Sequence, residues 1–92
     1  MSPARAEASS KPTFVPARDW AVAVCETQGN WQHRAGRFEG AWGWFHGTWL
    51  RDRVSGSPRH AYAASPWQQY RTYLRSLERG RYFGCRVILG QA

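Results

Sequence analysis

The sequence predicts a mainly α domain of the α+β kind, with about three short helices, a short irregular hairpin or loop, and one cysteine pair available as a staple. Three observations carry that prediction. The apolar run Trp20-Ala21-Val22-Ala23-Val24 gives way to Gly29-Asn30, as a short helix with a stop signal does. Ser65-Pro66-Trp67-Gln68 has the form of a helix start, and Tyr70, Leu74 and Leu77 follow it at helical spacing. Between them, residues 31–45 interleave Gly36, Gly40 and Gly43 with aromatic residues and show no helical period. A chain of 92 residues holds one small domain with a thin stability margin, so a staple is expected.

Taken in order, residues 1–15 are rich in Ala, Ser and Pro and read as a flexible leader or an arm that docks on a partner, leaving 16–92 as the folded domain. The N-terminus carries Arg5, Glu7 and Lys11 and lacks an apolar core segment, so it does not read as a signal peptide. No apolar run approaches the roughly 20 residues a membrane span needs. Asp19 is placed to cap a first helix running from Trp20 to about Thr27. Trp20, Ala23 and Val24 share one face, and Val22, Cys25 and Glu26 an adjacent one. A helix apolar nearly all round is expected to be central and buried.

Residues 31–45 read as a loop or irregular hairpin, with Phe38-Glu39 through Trp42 as its core. A second short helix is expected over residues 47–54, capped by Thr48, with Trp49, Leu50 and Val54 inward. Ser55-Gly56-Ser57-Pro58 reads as a turn. The third helix is the best marked. Ser65 is its cap, Pro66 its first residue and Gln68 the return donor of a capping box. Trp67, Tyr70, Leu74 and Leu77 are expected to face inward with Tyr73 beside them. Gly80 ends it, and Arg71, Arg75, Glu78 and Arg79 read as a solvated face.

Cys25 and Cys85 favour pairing over two buried free thiols. A bridge would close a loop of roughly 60 residues, contribute about 4 kcal/mol and imply an oxidising site of action. It would also return Arg81-Tyr82-Phe83-Gly84 to the end of the first helix.

Thirteen Lys and Arg against six Asp and Glu give a net charge of +7, which favours a polyanionic partner: nucleic acid, an anionic membrane surface or an anionic cell wall. The arginines are scattered and not blocked, which argues against a nucleic-acid arm. Six tryptophans are too many for a core this small to bury completely, and an apolar face with one polar N–H also suits sugar rings. There is no phosphate-cradling loop and no Ser-His-Asp spacing. His33, His46 and His60 are too dispersed to predict a metal site, so no metal and no cofactor are expected.

Glu26 stands apart from the other carboxylates. It follows a buried apolar helix and precedes a turn that can open it to a cleft. Desolvation favours the protonated form of a carboxyl, and a protonated carboxyl in a cleft is what a general acid for glycosidic cleavage requires. A surface glutamate at a helix end is the plainer alternative.

Cys25-Glu26-x-x-Gly29-Asn30-Trp31, preceded by Trp20-Ala21-Val22-Ala23, resembles the opening of the resuscitation-promoting-factor family of peptidoglycan-cleaving, transglycosylase-like domains. The resemblance continues through Phe38-Glu39-Gly40-Ala41-Trp42-Gly43-Trp44-Phe45-His46-Gly47-Thr48-Trp49, where the family shows an aromatic pair, Gly-Gly-Leu-Gln-Phe and then Ser-Thr-Trp. It reappears at Ala64-Ser65-Pro66-Trp67-Gln68-Gln69 and closes at Gly84-Cys85, covering residues 19–86. It implies a lysozyme-like fold and cleavage of the β-1,4 bond between N-acetylmuramic acid and N-acetylglucosamine. Glu26 takes the place of the family's catalytic glutamate, and Cys25 and Cys85 that of its disulfide. Phe38, Glu39, Trp42, Gly43, Trp44 and Thr48 fall on the stretch that would bind substrate, and Glu39 and Asp52 are the downstream carboxylates placed to approach the cleft.

Two departures stand out. Phe38 lacks the hydroxyl of the family's cleft tyrosine, and Gly43 replaces its cleft glutamine. The expected partners are peptidoglycan glycan strands, with the N-terminal arm contacting other virion or cell-wall proteins. The expected setting is a cell wall or a phage particle. The alternative is a lysozyme-like module that binds glycan or serves as structure without cutting.

Overall fold

A computed structural model of the chain describes residues 10–92. Among these it has four helices, three short antiparallel strands and one disulfide, an α+β arrangement. Helix α1 is Ala17–Thr27, strands β1, β2 and β3 are Arg34–Ala35, Phe38–Glu39 and Trp44–Phe45, and α2 is His46–Asp52. A 3-10 turn at Ala61–Ala63 leads into α3, Pro66–Glu78, and α4 is Gly84–Ile88. No helix among the described residues is long and apolar enough to cross a membrane.

Helix α1 starts earlier than the sequence predicts. Pro16, not Asp19, occupies the cap position, and Asp19 sits in the first turn. There its charge faces the positive end of the helix dipole, and its carboxylate accepts a hydrogen bond from the Tyr70 hydroxyl at 2.7 Å. The end of the predicted leader packs on the fold. Residues 1–9 lie outside the described residues, but Val15 is fully buried. Phe14 packs edge-on against Trp67, with ring centroids 5.2 Å apart, and Lys11 Nζ donates to the Val15 carbonyl at 2.8 Å.

The expected irregular hairpin is a three-stranded meander in the order β1-β2-β3, with Arg34 opposite Glu39 and Phe38 opposite Phe45. Its second turn depends on glycine. At Gly40 φ is +80°, and a Cβ would stand 2.7 Å from Ala61 Cβ and 2.9 Å from Gln69 Oε1. Conformation and space therefore both exclude a side chain there.

The core is built on tryptophan. Trp42 and Trp49 are fully buried, Trp44 nearly so, and Tyr73 stacks on Trp42 at 4.6 Å. A buried indole N–H needs an acceptor. Trp42 donates to the Asp19 carbonyl, Trp44 to Ser76 Oγ and Trp49 to the Pro58 carbonyl, all within 3.1 Å. Trp20 and Trp31 pack against this core part-buried, and Trp67 remains exposed.

Helix α2 begins at His46 with Phe45 in the cap position and no side-chain cap hydrogen bond, so Thr48 is not its cap. Helix α3 carries the predicted capping box: Ser65 Oγ accepts from the Gln68 N–H, and Gln68 Oε1 from the Ser65 N–H. Its buried face differs from the prediction. Gln69, Tyr70, Thr72, Tyr73 and Ser76 face inward, while Trp67 is exposed and Leu74 and Leu77 lie at the margin. The reason is hydrogen bonding. Gln69 Oε1 accepts from the Ala41 N–H at 2.8 Å, and its Nε2 donates to the Ala61 and Trp31 carbonyls at 2.7 and 2.9 Å. Thr72 Oγ1 accepts from the Val54 N–H. These side chains satisfy backbone groups that would otherwise be buried without partners, a requirement that outranks hydropathy. A fourth helix after Gly80, α4, was not expected from the sequence.

Candidate active site

The C-terminal end of α1, the β2–β3 ladder, the start of α2 and residues 81–84 surround a cleft of about 440 Å³. Glu26, Phe38, Gly43, Trp44 and Thr48 line it, and among the described residues Glu26 is the only carboxylate in the lining. Five of the seven residues singled out for catalysis or substrate binding therefore come together. Glu39 and Trp42 do not. Trp42 is fully buried in the core, and Glu39 is buried among His46, His60 and the Ala61 N–H.

Glu26 sits half-buried in the last turn of α1. The disulfide joins its neighbour Cys25 to Cys85, with the two Cα atoms 5.9 Å apart. The Cys85 N–H donates to Glu26 Oε2 at 3.0 Å. The covalent staple and this hydrogen bond thus fix α4 against the carboxylate-bearing end of α1. The same end is tied to the turn between β2 and β3 through Thr27, whose hydroxyl donates to the Ala41 carbonyl at 2.6 Å. One oxygen of Glu26 is held, which aims the side chain, and the carboxyl borders open space.

The cleft wall is mainly aromatic. Phe38 and Phe45 pair across the strands with centroids 4.8 Å apart, and each is about half exposed. Phe45, Arg81, Tyr82, Phe83 and Gly84 complete the lining and were not singled out from the sequence. A signal for the last four was present, since a bridge from Cys85 to Cys25 brings the preceding residues beside Glu26. Phe45 had none beyond its position next to Trp44.

At Gly43 φ is +68°, although a Cβ would find room, its nearest neighbour being Thr27 Cγ2 at 3.8 Å. A side chain there meets backbone strain and not a steric block. Thr48, Arg81 and the hydroxyl of Tyr82 are the other polar side-chain groups of the lining.

Asp52 is not a cleft carboxylate. It is fully buried beneath two arginines: Arg81 Nε and an Arg81 terminal nitrogen reach its two oxygens at 2.9 Å, and Arg79 adds a bond at 2.9 Å. Ser76 Oγ donates at 2.8 Å. Burial by itself pushes this carboxyl up, but the hydrogen bonds from Arg81, Ser76 and Arg79 outweigh it and hold Asp52 down at about 2. Arg79, expected on a solvated face, is thus half of a clamp. Arg81 is fixed from behind and borders the cleft in front.

Two histidines that looked dispersed in the sequence converge on Glu39. Its Oε2 lies 3.0 Å from His46 Nδ1 and 3.3 Å from His60 Nδ1. Sequence spacing could not reveal this, because 14 positions separate the two histidines and the loop between them makes the approach. No protein-family model matches the chain, and no curated protein or solved structure matches it.

Proposed function

We propose that the chain cleaves peptidoglycan glycan strands at the β-1,4 bond between N-acetylmuramic acid and N-acetylglucosamine, with Glu26 as the general acid. The observation that carries the reading is a single carboxylate on the wall of an open aromatic cleft. The exposed rings of Phe38 and Phe45 offer apolar faces to the C–H faces of pyranose rings, and Thr48 and Arg81 offer hydrogen bonds. The resemblance of the Cys25–Trp31 segment to the resuscitation-promoting factors supports the same reading, as does a disulfide suited to an oxidising, extracytoplasmic setting such as a cell wall or a phage particle.

Glu26 gives its proton to the departing glycosidic oxygen as the C1–O bond breaks. With Glu39 and Asp52 engaged elsewhere, no second carboxylate among the described residues lines the cleft to act as nucleophile. The ionised Glu26 then serves as base. It takes a proton either from water, giving the hydrolysed end, or from the muramyl C6 hydroxyl as O6 bonds to C1, giving the 1,6-anhydro end.

Purified actinobacterial peptidoglycan digested with the protein should release muropeptides, and their masses tell the two ends apart by one water. Glu26→Gln should lower release by at least about 100-fold while keeping the fold. Undiminished release by that variant would remove Glu26 as the donor. The sparse polar lining, with no hydroxyl at Phe38 and no side chain at Gly43, favours a second reading as a glycan-binding module without cleavage. Wall binding by the native chain with no product would select it.

A further inference from the structure

We propose that Glu39, His46 and His60 form a binding site for a divalent transition metal of the zinc class, outside the lining of the Glu26 cleft. The proposal does not depend on the glycan-cleaving reading. The three side chains each offer one ligand atom, and these atoms all lie within 4.8 Å of one another. A tetrahedral zinc centre with bonds of about 2.0–2.1 Å has ligand-to-ligand edges of about 3.3–3.4 Å. The two Nδ1-to-Oε2 separations, 3.0 and 3.3 Å, are close to those edges. A cation therefore enters with little displacement of the carboxylate.

Glu39 is built as a ligand rather than as a loose acid. Its Oε1 accepts the Ala61 N–H at 2.6 Å, which fixes the plane of the carboxylate and leaves Oε2 facing the two histidines. Ligating carboxylates are held by hydrogen bonds of this kind. Two imidazoles and one carboxylate suit zinc and its transition-metal neighbours, whereas calcium and magnesium take mainly oxygen ligands. The Glu39 side chain is only 9% exposed, but those of His46 and His60 are 35% and 42% exposed. That exposure supplies the entry path and a position for water as fourth ligand.

One rearrangement is required. The imidazoles stack at 4.4 Å with planes 21° apart, and near-parallel rings cannot aim both lone pairs at one point. His60 is also stacked on Tyr62 at 4.8 Å. His46 is therefore the ring that turns about its Nδ1, with each ring's proton at Nε2 and the Nδ1 lone pair on the metal. The bound ion would join β2, the start of α2 and the His60 loop.

The test is calorimetric titration of the full chain, first stripped with a chelator, with Zn²⁺ and separately with Mg²⁺ at neutral pH. One Zn²⁺ per chain and no Mg²⁺ binding are expected. His46→Ala and His60→Ala should each weaken Zn²⁺ binding by at least about tenfold. The Co²⁺-loaded chain should show visible d–d bands that His60→Ala abolishes. The native chain decides the matter even if a variant folds poorly: absence of saturable Zn²⁺ binding overturns the proposal. So does Zn²⁺ affinity left unchanged in both folded variants, which would place the ion elsewhere.

Discussion

Two regions of the molecule, a buried rear and an open front, are held together differently. At the rear, Gln69, Glu39, Thr72, Ser76 and Asp52 are buried polar side chains that find partners among backbone N–H groups, carbonyls and arginines. In front, the Glu26 cleft is aromatic, open and sparing of polar groups, closed at one side by the disulfide and one backbone hydrogen bond. The rear fixes the ladder because each group lost there strands another in a low-dielectric interior. The front keeps its groups available because few of them are committed. Committed polar groups and open aromatic surface thus lie in separate regions of one small fold.

The largest stability effect should come from the front. Replacing Cys25 and Cys85 by alanine opens a loop with a sequence separation of 60 and should cost about 4 kcal/mol in urea unfolding. Hydrogen exchange should rise first in α4 and at the end of α1. A loss spread evenly over the rear layer would break the distinction.

Gln69→Leu should cost about 3 kcal/mol, because it leaves the Ala41 N–H and several carbonyls buried without partners. Denaturant titration of that variant should match the disulfide variant in order of magnitude although no covalent bond is lost.

Asp52 gives a smaller, pH-dependent effect. Its carboxyl is held at about 2 in the fold against about 3.9 in an unfolded chain. The stabilisation is therefore fully present above pH 4 and lost as pH falls through 2, amounting to about 2 kcal/mol. Melting temperature should fall over that window, and Asp52→Asn should flatten the contribution.

The smallest effect tests how completely the rear is satisfied. The buried Tyr73 hydroxyl has no partner among the described residues. Tyr73→Phe should be neutral or stabilise by up to about 1 kcal/mol, with the ring still stacked on Trp42. A clear loss of stability would mean that the hydroxyl is hydrogen-bonded in solution.

What the sequence determined by itself is what four or five neighbouring residues encode, together with the one pairing that two cysteines allow. Ser65, Pro66 and Gln68 start α3, because a capping box is closed by atoms three residues apart. Gly29-Asn30 marks the end of α1, and the cysteines marked the staple that sets Glu26 against α4. Tertiary structure alone decided which face of α3 is buried, since the partners of Gln69 lie on Trp31, Ala41 and Ala61. It withdrew Glu39, Trp42 and Asp52 from the cleft and supplied Phe45 and residues 81–84 in their stead. It also gathered His46 and His60 on one carboxylate oxygen. Hydropathy and spacing report whether a side chain prefers water. Which buried backbone group needs that side chain as its partner is settled only when distant segments meet.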